Sequence, residues 1–264
     1  MTALAGAVGR WTLDLLGAWT RASVLLADTV SWVVMAPFRG RRIPLGSTVA
    51  SFVEFGTRSL PIVGMISFLV GAILALQASY TLAQWGANRF IATLVIVSAL
   101  REMAPLMAAI LITGRSGSAI TAEIGTMRVN EEIDALQVMG IDPIRFLVAP
   151  RFMAMVAAVP AVTVVAMFVM VLGGLAASVF VAGVPVAVYL DQTVHSMAGK
   201  DLVVGLTKSL FFGVAICWVG VYRGLEVEGG AEDVGRKTTS SVVTSIFFLI
   251  VIDLLFTVFF YFVR

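Results

Sequence analysis

Five stretches of about twenty consecutive, mostly apolar residues run through this chain, at 62–82, 90–113, 152–177, 202–222 and 242–263. About 20 such residues in a helix cross the hydrocarbon layer of a bilayer. Inside that layer a helix satisfies its own backbone N–H and C=O groups. The fold class that follows is an all-α integral membrane protein with five transmembrane helices. Charged residues make up 13% of the 264 positions and mean hydropathy is +1.00. Soluble domains carry roughly 25% charged residues, so a water-facing surface cannot be built from this material. The net charge of +2 is too small to suggest nucleic acid as a partner. One cysteine, Cys217, and one histidine, His195, offer neither a disulfide nor a metal site.

Lys and Arg set a direction. They number six before the first span (Arg10, Arg21, Arg39, Arg41, Arg42, Arg58), then one (Arg89), four (Arg115, Arg128, Arg145, Arg151), one (Lys200), three (Arg223, Arg236, Lys237) and one (Arg264). High counts mark the cytoplasmic side, which predicts a cytoplasmic N-terminus and a periplasmic C-terminus. Ser59 and Pro61 suit the N-cap and first turn of the first span. No charge occurs from Phe152 to Leu190, too long a run for one crossing. Its tail, past Gly183-Val184-Pro185, is expected to be a short outer segment on or dipping into the membrane.

Residues 1–45 form a separate N-terminal unit, ahead of the membrane-spanning body at 46–264. At 100° per residue, Leu4, Val8, Trp11, Leu15, Trp19, Leu26, Val30 and Val33 share a face, with Arg10, Asp14, Arg21 and Asp28 opposite. This suits an interfacial amphipathic helix, ended by Pro37 and the Arg-rich turn to Pro44. A helix packed on its own protein would show the same pattern.

Four charges lie inside spans: Arg101 and Glu102 in the second, Lys208 in the fourth and Asp253 in the fifth. Each costs roughly 2.5–3.5 kcal/mol on insertion scales and normally faces a bundle interior or a wet cavity. The four cancel, which allows pairing around one shared cavity. Pro105 has no N–H to offer the Arg101 carbonyl, so a kink is expected there. Aliphatic, Phe- and Met-rich walls with few ionic groups suit an amphiphile. Its headgroup would sit near Arg101 or Lys208, with Gln77 and Tyr80 adding hydrogen bonds. The same charges could instead be internal clips between helices. Small residues at Gly64, Gly71, Ala75, Gly173 and Ala177 allow close helix approach and are compatible with a homodimer.

Between the second and third spans lies a coupling region, 114–151. Here Asn130 can cap a short helix whose first turn carries Glu131 and Glu132, where the dipole favours negative charge. Ile133, Leu136 and Met139 form an apolar stripe flanked by Asp134, and Gly140 with Asp142-Pro143 closes the helix. An exposed stripe with an acidic flank suits docking of a soluble protein; a solvated connector is the plainer alternative. The run Gly229–Thr239, placed in the other cytoplasmic loop, misses the P-loop pattern because Arg236 stands where lysine is required. No catalytic constellation, metal site or cofactor site is expected.

The stretch Leu100-Arg101-Glu102-Met103-Ala104-Pro105, the run Gly114–Gly125, the segment Glu131–Pro143 with Pro150-Arg151, and the later run 229–243 together closely resemble the MlaE/YrbE permeases, over roughly residues 50–264. The resemblance implies the transmembrane subunit of an ABC transporter that moves phospholipid or other lipid between the inner and outer membranes of a bacterium. It further implies a homodimer, two cytoplasmic ATPase subunits that use the ATP, a periplasmic ring of MCE-domain proteins and, in some systems, a STAS-domain subunit. By that likeness Asn130, Glu131, Glu132, Ile133, Asp134, Leu136 and Met139 form the coupling helix. Arg101, Glu102, Lys208 and Asp253 fall on the family's lipid-cavity positions.

Overall fold

The computed structural model describes residues 2–35 and 44–262, all helix and short turns. The Pro37 break, the Arg-rich turn up to Arg42, Arg264 and the side chains expected to pattern residues 4–15 lie outside what is described. Helix α1 spans Thr2–Met35, α2 Leu45–Thr57, α3 Leu60–Ala83, α4 Asn88–Val129, α5 Glu132–Val138, α6 Ile144–Phe180, α7 Val186–Ser196, α8 Gly199–Leu225 and α9 Ala231–Phe262. Among the described residues, five helical runs are long and apolar enough to cross a membrane: α2 with α3, then α4, α6, α8 and α9.

Each run outlasts the apolar stretch that announced it. The Gly114–Gly125 segment continues α4 through a π-helical turn at Thr113–Gly117 and on to Val129. The 229–239 run is mostly helix rather than loop, because α9 starts at Ala231. Glu232 and Asp233 in its first turn complement the helix dipole. Ser59 has helical backbone angles and makes no capping bond, so α2 and α3 are nearly continuous and the expected N-cap there does not form.

Helix α6 is the hub, packing on α2, α3, α4 and α8. At its crossing with α3 the backbones touch. A Cβ on Gly71 would stand 1.9 Å from the Met170 carbonyl oxygen, and one on Gly173 1.9 Å from that of Phe68. Gly71, Ala75, Gly173 and Ala177 are therefore committed to packing within one chain, while Gly64 faces open space. The outer segment after Gly183 is the helix α7. Its buried Tyr189 donates a hydrogen bond to the Val171 carbonyl at 3.2 Å, and Ser196 meets Thr93 at 2.7 Å.

The described part of α1 packs on its own protein. Ala22 and Thr29 are buried, and Leu25, Leu26 and Val33 lie against the core, while Trp19 and Val30 stay exposed at the rim. The Trp218 indole N–H, on α8, donates to the Ala22 carbonyl at 2.8 Å.

Candidate functional site

Arg101 and Glu102 sit in a π-helical turn at Ala99–Met103 within α4. There the Ala104 N–H donates five residues back, to Ala99. In that register Pro105 stands opposite Leu100, so the carbonyl that loses its helical donor is that of Leu100, one residue before the expected one. Gly205 of α8 fills the gap: a Cβ there would lie 2.0 Å from the Leu100 oxygen. No side chain could stand between these backbones. One turn further along α8, Lys208 reaches across to α4.

Lys208 is 0% exposed and its ammonium is fully used. It donates to Glu102 Oε2 at 2.5 Å, Asp253 Oδ1 at 2.9 Å and Thr257 Oγ1 at 2.8 Å. An ammonium has three donors, so no N–H of Lys208 is left for a ligand phosphate. Arg101 stands apart from the cluster and faces Asp201 at 3.7 Å, so the expected four-charge cavity is divided in two. Asp201 and Thr257 were missed. Both keep helical register with residues already singled out, Asp201 seven before Lys208 and Thr257 four after Asp253, and that spacing places each pair on one helix face. Gln77 and Tyr80 are exposed on α3, which packs on α6 and α4, whereas the cluster joins α4, α8 and α9.

The acidic helix α5 is built differently from its sequence reading. Asn130 ends α4 rather than capping α5, and its side-chain amide donates to Glu132 Oε1 at 3.1 Å. Glu131 makes the turn with a left-handed φ of 59°. Ile133 is buried and Leu136 half-buried, so two of the three residues of the expected stripe face inward. What α5 presents outward is Met139 and Val138, the latter 89% exposed. Gly140, at φ 73°, closes the helix as expected: its N–H donates to the Gln137 carbonyl and that of Ile141 to Leu136, both at 2.9 Å. Arg128 of α4 holds Asp134 at 2.7 Å, fixing α5 to the end of a spanning helix.

The α8–α9 turn lies beside it, with Gly125 of α4 packed close against Val227 and Val234. Between this turn and α1 opens a polar cleft of about 1320 Å³ that includes Arg21, Asp28, Glu226, Asp233 and Lys237. Burial alone would raise Glu226, but hydrogen bonds and charge from Tyr222, Lys237 and Arg223 outweigh it and hold the carboxyl below its ordinary value. Asp233 accepts the Glu228 and Gly229 N–H groups and pairs with Arg236, which lowers its pKa to about 2. A lowered carboxylate pKa stabilises the fold above the unfolded value, and this is lost as pH falls through the folded one. The Glu228 and Gly229 amides are therefore expected to stay protected from hydrogen exchange down through pH 4, and Asp233→Ala, which removes the acceptor, to expose both at neutral pH. Unchanged protection in that variant would remove Asp233 as the clasp.

A profile of the Permease MlaE family matches residues 48–259. A probable ABC transporter permease protein of Rickettsia felis is 34% identical over 258 residues, 98% of each chain. One of Synechocystis is 37% identical over 205 residues, 78% of each. The intermembrane phospholipid transport system permease protein MlaE of Haemophilus influenzae is 30% identical over 252 residues, 95% of each.

Proposed function

The chain belongs to the MlaE permease family, and on that premise we propose that it is the inner-membrane permease subunit of an ATP-driven phospholipid transporter working between two membranes. The Haemophilus relative's name supports the cargo and the route. In this reading two copies of the chain enclose a lipid cavity, and a separate ATPase subunit binds and hydrolyses the ATP. A periplasmic MCE-domain ring, with a STAS-domain subunit in some assemblies, completes the machine. The alternation of basic loops supports a cytoplasmic N-terminus and α5. Arg101 is the headgroup contact in this proposal: its pairing with Asp201 is longer than a hydrogen bond, which leaves its fork of donors for a phosphate.

The observation that carries the reading is α5, a short acidic helix clamped to α4 with Val138 projecting. A rigid lever of this kind passes a partner's motion into the membrane. Val138→Asp puts a charge into the contact without touching the buried Ile133. It is expected to weaken ATPase binding by roughly 30-fold, the effect of losing about 2 kcal/mol at an interface hot spot, and to leave membrane insertion intact. Recovery of the ATPase at the normal ratio on the tagged variant would defeat the docking role of α5.

A further inference from the structure

A second cavity, of about 280 Å³, opens between α1, α8 and α9 on the α5 side of the bilayer-spanning bundle. It is separate from the Lys208 cluster, since Trp218 lies about 15 Å further along α8 at 1.5 Å per residue. Its walls are aromatic: Trp19, Trp218, Phe247 and Phe248. Phe248 meets both indoles, at ring separations of 6.0 Å and 5.6 Å. The Trp218 N–H is tied to Ala22, so the wall is fixed in place. Phe247 and Trp19 are exposed at the rim, which leaves the mouth open at the surface between α1 and α9.

One end of the cavity is polar and holds Arg223 and Thr244. Arg223 donates to Glu226 at 2.9 Å and reaches Thr244 at 3.4 Å, and its side chain stays partly exposed to the cavity. Glu226 does not cancel the charge, because it is shared with Lys237 at 3.5 Å: two cations face one carboxylate. An aromatic slot that ends in a partly exposed guanidinium, whose carboxylate partner is shared with a second cation, fits one kind of molecule. Chains lie against the rings, and an anionic oxygen takes N–H hydrogens on the exposed edge of the Arg223 guanidinium, whose side chain is 29% exposed.

We propose that this cavity binds an anionic phospholipid of the surrounding bilayer, held between α1 and the α8–α9 hairpin, with its phosphate on Arg223. The site stands on the membrane embedding and its own geometry, so it survives or fails independently of the transport reading. The lipid acts here as a strut joining the N-terminal helix to the spanning helices.

The test places the full-length chain in phosphatidylcholine nanodiscs, with Trp218 as the one tryptophan and Trp11, Trp19, Trp32 and Trp85 replaced by phenylalanine. Phosphatidylglycerol brominated on its chains is then titrated in, since bromine quenches an indole that it touches. Quenching of Trp218 is expected to saturate, at a mole fraction about fivefold lower than for brominated phosphatidylcholine. Arg223→Gln should bring the two lipids to parity. Phe247→Ala, at the exposed rim, should weaken quenching by both and keep the preference. Inorganic phosphate, an anion without chains, should leave the quenching unchanged. Equal quenching by the two lipids in the parent, a preference that survives Arg223→Gln, no loss in Phe247→Ala, or displacement by inorganic phosphate would each overturn the proposal.

Discussion

Lys208→Met is expected to cost about 3–5 kcal/mol of stability, the usual result of removing one partner from a buried ion pair. Methionine fills much of the same volume, so the loss is electrostatic. Glu102 and Asp253 would be left facing each other across the position of the missing ammonium, within a spanning bundle and with Thr257 as the remaining nearby donor. Neither carboxylate can then stay charged cheaply. Neutralising all three groups separates structure from transport. In the triple variant Lys208→Met, Glu102→Gln, Asp253→Asn, most of the stability should return, because no buried charge is left unpaired. Melting in detergent and lipid movement in reconstituted complexes provide the two readings. Restored stability with transport abolished would assign the charges to the transport cycle; restored stability with normal transport would make them helix clips. A single variant within about 0.5 kcal/mol of the parent, the range of ordinary surface changes, would mean that the cluster is not buried as described.

The positions of the spans were legible because hydrocarbon thickness is a blunt constraint that composition alone must meet. Their lengths were not. The Gly114–Gly125 and 229–239 runs look like loops by composition, yet the first is helix and so is the second from Ala231, and they pack on one another where Gly125 meets Val234. The ionic residues were legible as a set, since each is conspicuous in apolar sequence. Their pairing was hidden because it depends on the π-helical turn at Ala99–Met103, which rotates Arg101 and Glu102 relative to an α-helical wheel. Nothing in the residue types announces that extra residue in the turn. Asn130 misled for a local reason: it suits an N-cap, but the left-handed turn falls at Glu131 and spends Asn130 on closing α4. The stripe of α5 was periodic, yet periodicity is silent on which way it looks: Ile133 and Leu136 turn inward, and Met139, just past the helix end, turns outward.

Gly205→Ala should be the most damaging single-methyl change in the protein's ionic core. The added carbon would stand 2.0 Å from the Leu100 carbonyl oxygen and 2.7 Å from the Met167 methyl. Met167 can swing aside; the Leu100 backbone cannot, so α8 must move away from α4. Overpacking of this kind costs typically about 1–3 kcal/mol. Gly64→Ala is the internal control. It lies within α3, meets nothing within 4 Å, and should be neutral or stabilising by up to about 1 kcal/mol, since alanine is the better helix former. Moving α8 also withdraws Lys208, one turn along, from Glu102. Gly205→Ala and Lys208→Met therefore damage the same link, and together they should cost less than the sum of their separate effects. A thermodynamic cycle should show a coupling of about 0.5 kcal/mol or more, above the scatter seen for independent sites. Strict additivity would mean that the α4–α8 crossing and the ion cluster are separate features. The glycine would then serve helix packing alone, and the close approach at Leu100 would have no part in holding the charges together.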